Sequence, residues 1–123
     1  MRVAKVQQHN HEMHFVPKGW GFEKWIHNSE LYGGKLLYFV KGKRCSWHYH
    51  RIKDEVFYIQ SGKIQLSWSD DEDDLSRANI TVLERGDKWH VKVGQRHQML
   101  ALEDTELFEF STQHFDDDSY RLK

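Results

Sequence analysis

The chain has a single cysteine, a single proline, no long apolar segment and no excess of positive charge. Cys45, being alone, excludes an intramolecular disulfide and is consistent with a reducing compartment. The longest strongly apolar run, residues 36–40, is far below the ~20 residues that cross a bilayer, and residues 1–15 contain no apolar stretch of signal-peptide length. Eighteen basic residues against nineteen acidic residues argue against a nucleic-acid partner. We therefore expect a cytoplasmic protein without nucleic-acid or membrane partners.

What the sequence does contain is a series of short runs rich in apolar, β-branched and aromatic residues. Turn signals with glycine or acidic residues separate the runs, and no window has a sustained helical period. The run at 63–68 alternates apolar with polar residues, as does a weaker one at 106–110, which is typical of strands. The 123 residues and the absence of internal repeats predict one all-β domain, residues 1–123, built as a sandwich or small barrel. The remaining runs are at 19–26, 35–40, 55–59, 79–84 and 98–102.

The nine histidines include a pair, His48 and His50, two residues apart in a strand-forming context. Residues i and i+2 of a strand share a face, so both imidazoles could reach one metal ion. The pair alone is weak evidence, because a chain with nine histidines produces such pairs by chance. His9 and His11 form a second pair of the same spacing.

Glu55 and His97 strengthen the interpretation of His48 and His50 as a metal site. Glu55 opens a strand run and shares its parity with Phe57, on the face expected to be buried, where carboxylates are rare unless paired or metal-bound. His97 likewise opens a strand run and shares its parity with Met99. Three imidazoles and a carboxylate suit a borderline divalent cation with coordination positions left open. Phe57 and Met99 are candidates to line the substrate site.

The spacing of these residues resembles the first cupin motif without a gap. The motif runs Gly, five residues, His, one residue, His, four residues, Glu, six residues, Gly, and it covers residues 42–62. A partial second motif follows at residues 86–101, with Lys92 where the family usually has proline and Ala101 where it often has asparagine. The chain is similar to the small single-domain cupins. This resemblance implies a β-barrel, or double-stranded jelly roll, with a metal bound by His48, His50, Glu55 and His97.

Among small cupins the chain looks closest to the sugar-phosphate-isomerase type, which implies isomerisation or epimerisation of a sugar or sugar phosphate. A divalent ion (Mn, Fe, Zn, Ni or Co) could chelate adjacent carbonyl and hydroxyl oxygens while a base removes a proton. Glu55 is a candidate for either metal ligand or catalytic base. An iron-dependent dioxygenase and a non-catalytic sugar-binding protein are the alternatives. Basic residues that could meet a phosphate are Arg44, Lys88, Lys92 and Arg96.

Several other side chains carry expectations of their own. Trp47 and Tyr49 lie opposite the metal in strand parity, so we expect the N-terminal segment or a second subunit to cover them and predict a homodimer. Cys45 should point away from the metal as a buried thiol. Metal affinity should fall below neutrality, because ordinary histidines have a pKa of about 6.5. The acidic runs 70–74 and 116–118 are expected to be solvated, His9, His11 and His14 to lie in a mobile segment, and His90 to lie on the surface, whereas His27 and His114 have no assigned role.

Overall fold

The computed structural model describes residues 13–123, whose regular structure consists of strands and one short 3-10 turn at Leu75–Arg77. No helix in this described part of the chain has the length and apolar character that a bilayer crossing requires. The first strands are β1 (His14–Lys18), β2 (Gly21–Asn28), β3 (Gly33–Phe39), β4 (His48–Tyr49), β5 (Glu55–Ser61) and β6 (Lys63–Ser69). They are followed by β7 (Asn79–Glu84), β8 (Lys88–Val91), β9 (Arg96–Ala101), β10 (Thr105–Ser111) and β11 (Tyr120–Arg121).

The strands form two antiparallel sheets. One has six strands in the order β1-β2-β3-β10-β5-β8, and the other has five in the order β11-β4-β9-β6-β7. In both sheets, strands that are far apart in sequence lie side by side, as they do in a jelly roll. In the six-stranded sheet, for example, β3 pairs with β10. The predicted all-β jelly roll is therefore confirmed.

The apolar core lies between the sheets and follows the period-2 pattern of the strands. Ile64 and Leu66 of β6, in the five-stranded sheet, are fully buried, and Phe57 and Ile59 of β5 and Leu107 of β10 face them from the six-stranded sheet. Each such side chain contributes about 1.5–3 kcal/mol when it leaves water. The apolar alternation visible in the sequence therefore sets which strand faces meet.

The β5–β6 hairpin depends on one glycine. Gly62 has φ +95°, and a Cβ built there would lie 2.4 Å from both the Asp104 carbonyl oxygen and the Thr105 hydroxyl. The conformation disfavours L side chains, and the close backbone approach excludes even a methyl group. This turn therefore requires glycine for two separate reasons.

The predicted covering of Trp47 is wrong. Trp47 is fully buried, and its indole N–H donates to the Asp73 carbonyl at 2.7 Å, while Leu122 N–H donates to the Trp47 carbonyl at 2.8 Å. Tyr49 stacks on Tyr120, with ring centroids 5.2 Å apart. The acidic loop and residues 120–123 cover Trp47, and Tyr120 covers part of Tyr49, which stays half-buried, so the homodimer stays a prediction.

Two histidine expectations for the N-terminal region have different outcomes. His14 begins β1, and its ring packs edge-on against Trp25 with ring centroids 5.0 Å apart. The prediction that His14 lies in a mobile segment is therefore wrong. His9 and His11 lie outside the described residues.

Candidate metal centre

Three imidazoles meet between the two sheets. His48 in β4 is the cross-strand partner of His97 in β9, and His50 follows β4 directly. Cross-strand partners place their side chains close together on one face of a sheet. Each of the three histidines offers a ring nitrogen within 4.8 Å of those of the other two. The structure therefore brings these three predicted ligands together.

Backbone carbonyls orient all three rings. His48 Nδ1 lies 2.9 Å from the Ser46 carbonyl oxygen, His50 Nδ1 lies 2.6 Å from that of Asp118, and His97 Nδ1 lies 3.0 Å from that of Gln95. A carbonyl can only accept, so each Nδ1 carries the proton and donates it. In the neutral ring this leaves Nε2 with a free lone pair, the arrangement found in metal-binding histidines.

Glu55 reaches the same place from the opposite sheet. Its Oε1 lies 3.1 Å from His97 Nε2 and 3.6 Å from His50 Nε2, and the side chain is 1% exposed. Neither carboxylate oxygen has a hydrogen bond of regular geometry in the described structure. Two acceptor groups facing each other in a dry site repel unless a cation or a proton lies between them. This donor set therefore fits a divalent metal ion.

A buried lysine supports the other oxygen of Glu55. Lys53 Nζ lies 3.0 Å from Glu55 Oε2 and 3.2 Å from Glu109 Oε2. Lys35, the β3 partner of Glu109 in β10, extends the network, with Nζ 3.9 Å from Glu109 and 3.5 Å from Glu23. Buried charges need such partners. The sheet face beside the metal centre is thus built from paired charges rather than from apolar side chains.

The charges around Glu55 decide its ionisation. Burial opposes the charged form, but the Lys53 ammonium outweighs it and holds the pKa of Glu55 well below its usual range. Lys53 keeps its proton, because Glu109 and Glu55 outweigh burial and raise its pKa. An ionised carboxylate of low pKa is a weak base and a good ligand for a hard or borderline cation. Its electrostatic surroundings favour Glu55 as a ligand over Glu55 as a base.

Burial keeps two of the imidazoles neutral. It lowers the pKa of His48 well below 6.5, with further lowering from His97 and His50. It also lowers the pKa of His50 to about 4, against the opposing effect of Glu55. Neutral imidazoles can bind a metal ion without first losing a proton.

Asp118 holds the segment that joins the histidine pair to Glu55. β4 and β5 belong to different sheets, and residues 51–54 cross between them. The Asp118 carboxylate accepts the backbone N–H groups of Arg51, Ile52 and Lys53 at 2.9–3.1 Å. Asp118 is 2% exposed, so the predicted solvated acidic tail is wrong at this residue.

The metal centre opens into a cavity of about 330 Å³. Phe57 and Met99, the predicted substrate-lining residues, are both on its wall, and their role toward a substrate stays a prediction. Cys45 also lies on this wall, which corrects the expectation that it points away. Burial raises the pKa of its thiol to about 11, so Cys45 is inert rather than nucleophilic at neutral pH.

Trp25 forms the polar side of the cavity together with charged neighbours. Its indole N–H donates to Glu23 at 2.8 Å, the Lys35 ammonium lies 4.3 Å from its ring centroid, and His114 packs edge-on at 4.9 Å. His114, which had no assigned role, therefore belongs to the cavity wall. The cavity combines aromatic rings with ionic and hydrogen-bonding groups, as sites for polar molecules do.

Other candidates lie away from the centre. His90 is exposed and pairs with Asp54 at 2.6 Å, which matches the expected surface position. His27 stacks on Tyr32 with ring centroids 4.4 Å apart. The Arg96 guanidinium is engaged by Asp73 at 2.8 Å and is not available to a phosphate in the cavity.

Sequence reasoning missed Lys53, Glu109 and Asp118. Glu109 did carry a signal, since it alternates with Phe108 and Phe110 and has the parity of buried Leu107. Lys53 and Asp118 carried none, because a lysine and an aspartate in polar segments resemble solvated residues.

No family model matches the chain, and no curated protein sequence matches it significantly. Solved structures match over most of its length. KdgF from Halomonas sp. is 18% identical with a TM-score of 0.71, over 94% of this chain and 98% of that one. Oxalate decarboxylase from Bacillus subtilis is 20% identical with a TM-score of 0.78, over 90% and 30%. The capsular polysaccharide assembling protein CapF from Staphylococcus aureus is 18% identical with a TM-score of 0.75, over 91% and 34%.

These neighbours share the cupin fold, and at such identities the likeness concerns the fold alone. The chain spans about a third of the length of CapF and of oxalate decarboxylase, but nearly all of KdgF. Two antiparallel sheets enclosing three converging histidines define the class: the chain has the fold of a small cupin, with a histidine cluster suited to a divalent metal ion.

Proposed function

We propose that the chain, acting as one domain, binds a divalent metal ion through His48, His50, His97 and Glu55. We further propose that this ion acts on a small polar molecule with adjacent oxygen atoms, a sugar or sugar derivative, by isomerisation or epimerisation. The observation that carries the proposal is that the three rings place their Nδ1 atoms 2.6–3.0 Å from backbone carbonyls while ring nitrogens of all three converge within 4.8 Å.

The cavity beside the histidines supports a small polar ligand. Its volume of about 330 Å³ lies at the lower end of the range of ~300–1,000 Å³ typical of small-molecule sites. Charged and aromatic groups share its wall, including Glu23, Trp25 and Lys35. The names of two structural neighbours, oxalate decarboxylase and a capsular polysaccharide assembling protein, connect them with a small organic acid and with a carbohydrate product.

The chain's own residues supply binding and orientation. A bound divalent ion would contribute Lewis acidity toward adjacent substrate oxygens. Lys53 keeps Glu55 ionised and fixes one of its oxygens, and Phe57 and Met99 exclude water from the inner wall. Glu23 accepts a hydrogen bond from Trp25, and the Lys35 ammonium beside it offsets burial to lower its pKa, so Glu23 enters the cavity as a charged acceptor for hydroxyl groups.

Metal analysis of the purified protein tests the proposal. We expect a bound divalent metal, with its content reduced at least tenfold in His48→Ala and in His97→Ala and unchanged in the control His90→Ala. Equal occupancy in all four proteins would refute the site.

Activity assays on the metal-loaded protein separate the possible functions. Interconversion of sugars or sugar phosphates that is lost in His97→Ala supports the proposal. Oxygen uptake with bound iron would replace it by a dioxygenase, and tight binding of sugars without turnover would replace it by a binding protein.

A further inference from the structure

A second cleft, which we call the cationic cleft, is lined by Lys18, Arg44, Arg121 and Lys123. It has a volume of about 600 Å³, and no acidic side chain is among its lining residues. Four positive side chains on one cleft stand out in a chain of net charge −1. Such a concentration of one sign raises the local potential and attracts anions.

These four cations have few acidic neighbours: Glu23 lies beside Lys18, and Asp74 is near enough to Lys123 for the lysine to lower its pKa. All four residues are exposed. Within residues 13–123, Arg44, Arg121 and Lys123 have no carboxylate side chain within 4.0 Å, and Lys18 has one at that limit, Glu23. Arg96, by contrast, is engaged by Asp73 at 2.8 Å. The cleft therefore keeps charge available for a ligand.

The cationic cleft adjoins the metal cavity. The two share Lys18, Trp20, Cys45 and Ser46 as walls. Ser46 accepts the Nδ1–H of His48 through its carbonyl, and Arg121 is the cross-strand partner of His48. The wall that the two cavities share therefore lies directly beside His48, a proposed metal ligand.

We infer that the cationic cleft binds the anionic group, a phosphate ester or a carboxylate, of a molecule whose other end meets the metal centre. This inference rests on the proposed function and narrows its substrate to anionic sugar derivatives. Of the basic residues that the sequence offered for such a contact, Arg44 lies in the cleft. Lys88 and Lys92 line a separate shallow pocket beside Trp68 and Trp89.

Titration calorimetry at low salt, with the full chain loaded with metal, tests the inference. The probes are inorganic phosphate, glucose 6-phosphate, glucuronate and uncharged glucose. The variant R44Q/R121Q removes two cleft charges, and K88Q/K92Q removes two exposed charges elsewhere, so net charge and surface exposure are matched. We expect the cleft variant to weaken binding of the anionic probes about tenfold and the control to weaken it less than twofold.

The probes also distinguish the source of the anion. Tighter binding of glucose 6-phosphate than of glucuronate assigns the cleft to phosphate esters, and the reverse order assigns it to carboxylates. Equal weakening in both double variants overturns the inference. So does a parent protein that binds the anionic probes no better than glucose.

Metal content separates this inference from the function on which it rests. R44Q/R121Q should retain the metal content of the parent. If the parent holds no metal but binds phosphate, and R44Q/R121Q loses that binding, the inferred anion site is supported and the proposed function is refuted. If the parent binds metal but the cleft substitutions do not change anion binding, the inferred anion site is refuted and the proposed function is still supported.

Discussion

Replacing Lys53 by methionine should strongly destabilise the protein. Lys53 is 3% exposed, and its ammonium lies 3.0 Å from Glu55 and 3.2 Å from Glu109, both buried. Methionine fills a similar volume but leaves these two carboxylates without their nearest cation. Removing one partner of a buried ion pair costs about 3–5 kcal/mol. Since domains of this size have only about 5–15 kcal/mol in total, we expect a fall in Tm of roughly 10–20 °C.

The matched control is Lys63→Met. Lys63 pairs with Glu84 at 3.5 Å, but the two side chains are 38% and 62% exposed. Exposed pairs contribute about 0–1 kcal/mol, so this variant should melt within a few degrees of the parent. Urea unfolding of the metal-free proteins, prepared with a chelator, measures both differences without a contribution from metal.

The pH dependence of the Lys53→Met deficit tests its cause. Lys53 lowers the pKa of both Glu55 and Glu109, so the substitution raises the folded-state pKa of these carboxyls. The folded variant therefore binds protons more readily than the folded parent, so its stability relative to the parent rises as pH falls. The deficit relative to the parent should therefore shrink between pH 7 and pH 5. Equal losses in the two lysine variants, or a deficit independent of pH, would refute the reasoning.

Two further predictions concern a turn and the metal site. Gly62→Ala should lose several kcal/mol in chemical denaturation because its Cβ meets backbone at 2.4 Å, whereas Gly86→Ala, at φ +89° with open space around it, should lose only about 1–2 kcal/mol; similar losses would contradict the steric argument. Between pH 7.5 and 5.5, metal affinity measured by chelator competition should fall by much less than 100-fold, because His48 and His50, with pKa values well below 6.5 and about 4, carry few protons to displace. Two histidines of ordinary pKa would produce a ~100-fold fall over this range, and observing it would show that burial does not keep them neutral.

This pH prediction differs from the one that the sequence supports. Spacing alone predicts ordinary pKa values for the imidazoles of His48 and His50, and therefore a metal affinity that decreases as the pH drops below neutrality. Burial on the inner side of the five-stranded sheet changes that, and burial depends on which segments cover the site. Composition and spacing carry no information about those segments.

The same distinction, between local sequence pattern and contacts from distant segments, separates the other features that could be predicted from those that could not. The strand at 79–84 was predicted with its bounds, because its β-branched residues are concentrated in one run that turn signals delimit. The two-residue strands β4 and β11 could not be predicted, since two residues have no period. Spacing brought His48, His50 and His97 into one candidate site. The burial of Asp118 was not predictable, because it depends on backbone N–H groups far away in sequence, whereas the parity that Glu109 shares with Leu107 was a signal of its burial.

Asp118 makes the metal centre dependent on the order in which the chain is synthesised. Its carbonyl orients His50 across 68 residues, and its carboxylate holds the segment leading to Glu55. A ribosome releases His48, His50, Glu55 and His97 before it releases Asp118. During that interval the four donors exist without the group that aligns one of them and anchors the connection to another. We therefore expect metal loading at the proposed site to be a late event, coupled to docking of the last strand.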